Sequence, residues 1–217
     1  MKNPFVIGAL AVCLAAAPAQ SEEFNQHIIL VLDDSGTVQD DTGQGARSRP
    51  SYMIARRAMI GKIDREYSRS DLITIISVAR PQVIWQGPAS EITDRRNYIL
   101  ADYLNAEING CADFERVADT IQRELRYSEP PLTQLIFLSS LVHTNNSPEG
   151  CAVDPDHLHP PEPFFEALKD LQFETKAQLS FLWTYDDVAS EVADYFDANG
   201  IRVILKQEKL TSVELAR

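Results

Sequence analysis

Five apolar runs constrain the fold of this chain more than any other feature: HIILVL (27–32), DLITIISVA (71–79), LTQLIFLSS (132–140), AQLSFLW (177–183) and IRVIL (201–205). The first and the third of these are apolar at consecutive positions, not alternate ones. That is the pattern of strands covered on both faces. Between the runs lie segments with apolar residues at three- and four-residue steps. Tyr52, Ala55, Met59, Ile63 and Tyr67 form one such stripe, and Phe114, Val117, Ile121 and Leu125 another. Each stripe predicts a helix with one side against a sheet. EITDRRNYILADYLN (91–105), a short segment after Pro163 and DVASEVADYFDANG (187–200) read as further helices, the last ending on a glycine as helices commonly do. QVIWQG (82–87) follows a turn at Arg80-Pro81 and predicts an antiparallel edge partner for the second run. The class expected is α/β: a doubly wound, mostly parallel sheet with helices on both faces and one antiparallel edge strand. Ligands of such sheets sit beyond the carboxyl ends of the strands.

Residues 1–19 stand apart from this pattern. Lys2, the apolar run Phe5–Ala17 and the small residues Ala17-Pro18-Ala19 predict a secretory signal peptide. The run is shorter than the ~20 residues a membrane span needs. A lipid anchor at Cys13 is the weaker alternative, because Val12 suits such a site poorly and the apolar run continues past it. Residues 20–217 then form a single domain with no membrane span, in a bacterial periplasm or outside the cell. The formal charge of −12 repels nucleic acid phosphates and anionic lipid. Cleavage leaves Cys111 and Cys151, a candidate disulfide in an oxidising compartment, with two free buried thiols as the alternative.

The first run stops in LVLDDSGTV (30–38), which sets two carboxylates and two hydroxyls at a strand end. IILVLDDSGTV resembles the opening of a von Willebrand factor A domain, an apolar strand ending in D-x-S-x-S. The resemblance covers about residues 25–206. DLITIISVARPQVIWQG resembles that family's second and third strands, INGCADFERVADTI the segment that usually reads G-G-T-D before a helix, and LIFLSSL the fourth strand. It implies a metal-ion-dependent adhesion site with Asp33, Ser35 and Thr37 as its first-loop ligands and Mg2+ or Mn2+ as the ion. In that site an open coordination position takes an acidic group from a protein partner. The site is partly degenerate here: Ala112 stands where a threonine is usual and Ser140 where an aspartate is usual. Removing oxygen ligands and charge weakens binding of hard divalent ions. The residues expected to meet a partner around it are Asp34, Asp113, Ser140 and His143, with Asp34, Asp40, Asp41 and Asp113 as possible compensating acids. A retained strand-end turn without an ion, in a structural subunit, is the alternative reading.

DDSGTV also resembles the first motif of haloacid-dehalogenase-type phosphatases, with Asp33 as nucleophile, Ser139 or Ser140 as a phosphate-binding hydroxyl and Tyr185–Asp187 carrying a metal-binding pair. Ser35 stands where that family has its acid, and a serine cannot protonate a leaving group as a carboxylic acid does. The loop 143–163 is long for a connection inside a domain, which marks it as a candidate functional loop. It leaves the fourth strand at the edge where DDSGT lies, so a Cys111–Cys151 bond would pin it over the site. Asp154, Asp156, His157 and His159 within it form a candidate second metal site for a transition ion; a solvated acidic loop is the plainer reading, since no closed four-ligand set is present. Trp85 and Trp183 are expected in the core, and the pairs Arg56-Arg57 and Arg95-Arg96 on exposed helix faces. Taken together these features predict an exported interaction module with a protein partner, not an enzyme.

Overall fold

The structure, a computed structural model, describes residues 24–35, 50–92, 111–128, 130–147, 150–152 and 158–207. The leader, Cys13, Thr37, Asp40, Asp41, Arg95, Arg96, Asp154, Asp156 and His157 lie outside the described residues.

Six strands form one sheet: β1 (His27–Leu32), β2 (Leu72–Ser77), β3 (Gln82–Pro88), β4 (Leu132–Leu138), β7 (Gln178–Thr184) and β8 (Ile204–Gln207), in the order β3-β2-β1-β4-β7-β8. All neighbours are parallel except β2 and β3, the antiparallel edge pair. The α/β class and the antiparallel edge strand are as expected. Helices α1 (Pro50–Glu66), α2 (Phe114–Arg126), α3 (Glu162–Thr175) and α4 (Asp186–Ala198) flank the sheet. The order reverses at β1, so β1 and β4 flank the switch point where crevices open in such sheets.

Both faces are packed, and the side-chain period of two assigns the residues to them. On one face Ile29, Val31, Leu135, Phe137, Leu179 and Phe181 meet α2, α3 and α4. Phe137 stacks on Phe181 with ring centroids 5.2 Å apart, and Phe164 meets Phe137 edge-on at 5.5 Å. On the other face Ile28, Leu30, Leu32, Ile73, Ile75, Ile136 and Leu138 meet Ala55, Met59, Ile60 and Ile63 of α1. The α2 stripe packs as its spacing implies, with Phe114, Val117 and Ile121 fully buried.

The register of β7 against β8 shifts between Leu182 and Thr184, leaving Trp183 as an extra residue with φ 69°. This bulge has a packing consequence. Leu182 and Trp183 are adjacent, yet both join the α1-side core, which a regular strand would not allow. The chain after α4 turns through Gly200, φ 68°, where Gly200 N–H bonds Asp197 O and Ile201 N–H bonds Phe196 O. That paired closure requires a left-handed residue and explains the glycine.

Three expectations need correction. Arg56 is fully buried, whereas Arg57 is exposed; α1 turns its Arg56 side inward, which charge alone did not indicate. The loop 143–163 is not wholly irregular, because Asn145–Ser147 (β5) pairs antiparallel with Gly150–Ala152 (β6). The helix expected over 91–105 lies almost wholly outside the described residues, which include only its first two, Glu91 and Ile92, at the end of the 3-10 turn Ala89–Glu91. The last strand begins at Ile204, not Ile201, because residues 201–203 complete the turn out of α4.

Candidate functional site at the carboxyl edge

Asp33 leaves β1 at its carboxyl end and is held there by its own amide, which donates to Leu138 O at 3.0 Å. Its side chain is 1% exposed. Oδ1 accepts from Ser35 N–H at 3.0 Å and from Ser35 Oγ–H at 2.6 Å. Oδ2 accepts from Ser139 Oγ–H at 2.6 Å. Ser139 in turn accepts from Leu141 N–H at 2.9 Å. Burial pushes the Asp33 carboxyl upward, the Ser139 and Ser35 hydrogen bonds oppose that, and the neighbouring Asp34 charge adds to it. The cluster therefore ties the β1 turn to the β4 turn through one carboxylate.

Asp34 faces elsewhere. It is fully buried, and both its oxygens accept from Ser77 Oγ–H, at 2.8 and 2.7 Å, while Oδ1 also accepts from Ala79 N–H at 2.8 Å. Ser77 then accepts from Arg80 N–H at 3.0 Å. Asp34 thus braces the turn between β2 and β3. Asp34, expected among the partner-facing residues, is thus fully buried beneath the edge.

Ser140 is also fully buried; its Oγ accepts from Val142 N–H at 3.3 Å, and its carbonyl accepts from Tyr185 N–H at 3.0 Å, coupling β4 to the start of α4. Asp113 is half-buried and caps α2, accepting from Arg116 N–H at 3.1 Å. Ala112 brings no side-chain oxygen. Its amide instead donates to Thr144 Oγ1 at 2.7 Å, and its carbonyl accepts from Thr144 N–H at 3.2 Å. His143 is half-buried with its ring 6.3 Å from that of Phe114; burial lowers its pKa, against the pull of Asp113 and Glu115. His159 pairs with Glu191 at 3.1 Å.

Cys111 and Cys151 are joined, with Cα atoms 5.1 Å apart and a sequence separation of 40. The bond fastens β6 to the segment leading into α2. Together with the Ala112–Thr144 pair, it holds the β5–β6 hairpin beside the ends of β1 and β4.

Two residues at this edge escaped sequence reasoning. Leu141, after β4, and Trp183, near the end of β7, have φ of 60° and 69°. Such angles are unusual for bulky side chains, and strain of this kind gathers at functional edges. Both are buried, and no sequence signal marks a left-handed leucine or tryptophan.

Among the described residues, no group of three or more His, Cys, Asp or Glu side chains is placed to hold a metal ion. The described part of the adhesion-type site offers Ser35 Oγ and one carboxylate whose two oxygens already accept three hydrogen bonds. The Ala112 position supplies no side-chain donor, and the Ser140 position supplies a hydroxyl that already accepts a backbone amide. Mg2+ and Mn2+ want six hard oxygens and charge to match. The residues described do not fit that requirement.

No protein-family model matches the chain, and no curated protein matches it. Solved structures do match in architecture. A von Willebrand factor type A protein from Catenulispora acidiphila superposes with a TM-score of 0.53 at 11% identity, over 89% of this chain and 40% of that one. BatB from Bacteroides thetaiotaomicron gives 0.54 at 13%, over 88% and 95%. The pilus adhesin SpaC from Lactobacillus rhamnosus GG gives 0.55 at 9%, over 91% of this chain but only 30% of its own length. At these identities the likeness is one of fold. The fold is of the von Willebrand factor A or Rossmann-like type.

Proposed function

We propose that this chain is an exported protein-interaction module, acting in a bacterial periplasm or outside the cell, that docks a protein partner at the carboxyl edge of its sheet. The observation that carries the reading is the bracing of that edge. Asp33 links the turns after β1 and β4, and the Cys111–Cys151 bond fixes a hairpin beside them. A fixed edge presents loops at little ordering cost, which favours binding. The disulfide also suits an oxidising compartment, in line with the leader. The docking face comprises the exposed Tyr185, Asp186 and Asp187 with the half-buried Asp113 and His143. Asp34 and Ser140 support it from below.

On the described donor set, the docking reading requires no divalent ion. Melting of the mature protein in EDTA, Mg2+ or Mn2+, for wild type and Asp33→Ala, tests this. The melting temperature is expected to be the same in all three conditions for each protein. A millimolar Mg2+- or Mn2+-dependent rise, lost in Asp33→Ala, would restore an ion-gripping site with Asp33, Ser35 and Thr37 as ligands. A phosphomonoester assay in the same buffers addresses the enzymatic alternative. No turnover is expected; metal-dependent turnover abolished by Asp33→Ala would replace the docking reading with a phosphatase.

A further inference from the structure

The β5–β6 hairpin is a sheet of its own, separate from the six-stranded sheet, with three residues to a strand. So short a pair of strands is marginal by itself in water. Two of its ties to the body lie side by side. The Cys111–Cys151 bond fastens β6 to the residue before Ala112, and Ala112 exchanges two hydrogen bonds with Thr144, the residue before β5. Both cysteines are half-buried, so a thiolate can approach from solvent. The two cores are built from the six-stranded sheet and its helices. The closed arrangement also carries a cost at the base of the hairpin. His143, one residue before Thr144, has its Nδ1 buried with no hydrogen-bond partner among the described residues. Its amide is committed to Leu158 O at 2.8 Å, and its ring lies 6.3 Å from that of Phe114. A buried polar nitrogen without a partner is unfavourable, and water would satisfy it if the base opened.

We propose that the Cys111–Cys151 bond is a redox switch: a dithiol reductant opens it and releases the β5–β6 hairpin from the carboxyl edge while the domain stays folded. The first thiolate of the dithiol attacks one sulfur of the bond, giving a mixed disulfide and one free cysteine. The second thiolate then expels the other cysteine. Cys111 and Cys151 end as thiols, having gained two electrons and two protons, and the dithiol ends as its own disulfide. Opening the bond loosens the adjoining Ala112–Thr144 pair and lets water reach His143 Nδ1, so local opening is favoured once the link is gone. The release does not rest on the docking reading. That reading supplies only its consequence, which is that the edge is ordered for a partner in the oxidised form alone.

Hydrogen exchange of the full chain, followed by NMR, tests this in oxidised protein, in protein held with dithiothreitol and after reoxidation. Alkylation mapped to Cys111 and Cys151 reports the state of the bond in each sample. With the bond open, the His143 and Thr144 amides are expected to exchange about tenfold faster or more, and the strand amides of Leu30 and Phe137 to stay within about twofold. Reoxidation should restore the first rates. His143→Phe removes the orphan nitrogen and should raise the dithiol excess needed for half reduction by about threefold or more. Failure of dithiothreitol to reduce the folded protein overturns the proposal, as does unchanged Thr144 exchange in reduced protein. Acceleration of the Leu30 and Phe137 amides along with Thr144 also overturns it, since the bond would then be a staple of the whole domain. A half-reduction ratio unmoved in His143→Phe overturns the role given to His143. The wild-type chain carries the other readings, so a variant that fails to fold leaves them decisive.

Discussion

At the residue scale, one carboxylate organises the carboxyl edge. Asp33 is buried yet accepts three hydrogen bonds, which offset part of the cost that burial imposes on its charged form. Ser139→Ala removes the bond to Oδ2 and should cost about 1–3 kcal/mol at neutral pH by urea unfolding. The bond favours the charged carboxylate, so the loss should shrink as pH falls through the titration of Asp33, which burial raises above the ordinary carboxylate range. An equal loss at pH 7 and pH 3 would show that Ser139 acts by packing alone. A second buried group reports at lower pH. His27 is fully buried between Thr74 Oγ1 at 2.7 Å and Ser128 Oγ at 2.9 Å, and burial lowers its pKa to about 4. The unfolded chain then takes up this proton below about pH 6.5 while the folded chain does not until about pH 4. The His27 contribution is therefore lost as pH falls through that window, by roughly 3 kcal/mol in all. Asp33, raised by burial, has the opposite slope, so the His27 effect is read directly from its imidazole chemical shift. A midpoint near 4 is expected, and one near 6.5 would contradict the burial argument.

At the element scale, the disulfide is the device that distinguishes this edge from a plain strand-end turn. Removing a cross-link that closes 40 residues should cost roughly 4 kcal/mol by chain entropy. The double variant Cys111→Ser/Cys151→Ser, measured by denaturant unfolding, is expected to fall by about 2–4 kcal/mol. It should also lose amide protection at Thr144, whose partner Ala112 adjoins Cys111. A loss confined to global stability, with Thr144 protection unchanged, would detach the disulfide from the hairpin's position. These elements also show what a sequence can convey. The strands read directly because burial on both faces leaves continuous apolar runs; His27–Leu32 came out to the residue. Phe114, Val117 and Ile121 read equally well because helical spacing dictates one buried face. The buried Arg56, the bulge at Trp183 and the left-handed Leu141 did not, since tertiary packing sets them and leaves no local pattern. Asp33 was legible from its place at a strand end. The bracing contact of Asp34, its neighbour, was not legible, because its partner Ser77 is 43 residues away.

At the scale of the whole molecule, the parts converge on one edge. The switch in strand order places a crevice beyond the carboxyl ends of the paired strands β1 and β4, Asp33 and Ser139 bridge the two turns, and the disulfide sets a hairpin alongside. The opposite edge carries the amino ends of the parallel strands and the exposed Tyr127 at the end of α2, 83% accessible. The account's central claim is that the partner meets the carboxyl edge. The most direct measurement is the dissociation constant of the partner captured from the native compartment, taken with EDTA present. It is compared across wild type, Tyr185→Ala/His143→Ala at the carboxyl edge and Tyr127→Ser at the opposite edge. The account predicts wild-type affinity for Tyr127→Ser and weakening of about tenfold or more for the carboxyl-edge variant, as expected when exposed anchors are truncated. Unchanged affinity in the carboxyl-edge variant, or loss only in Tyr127→Ser, would contradict it.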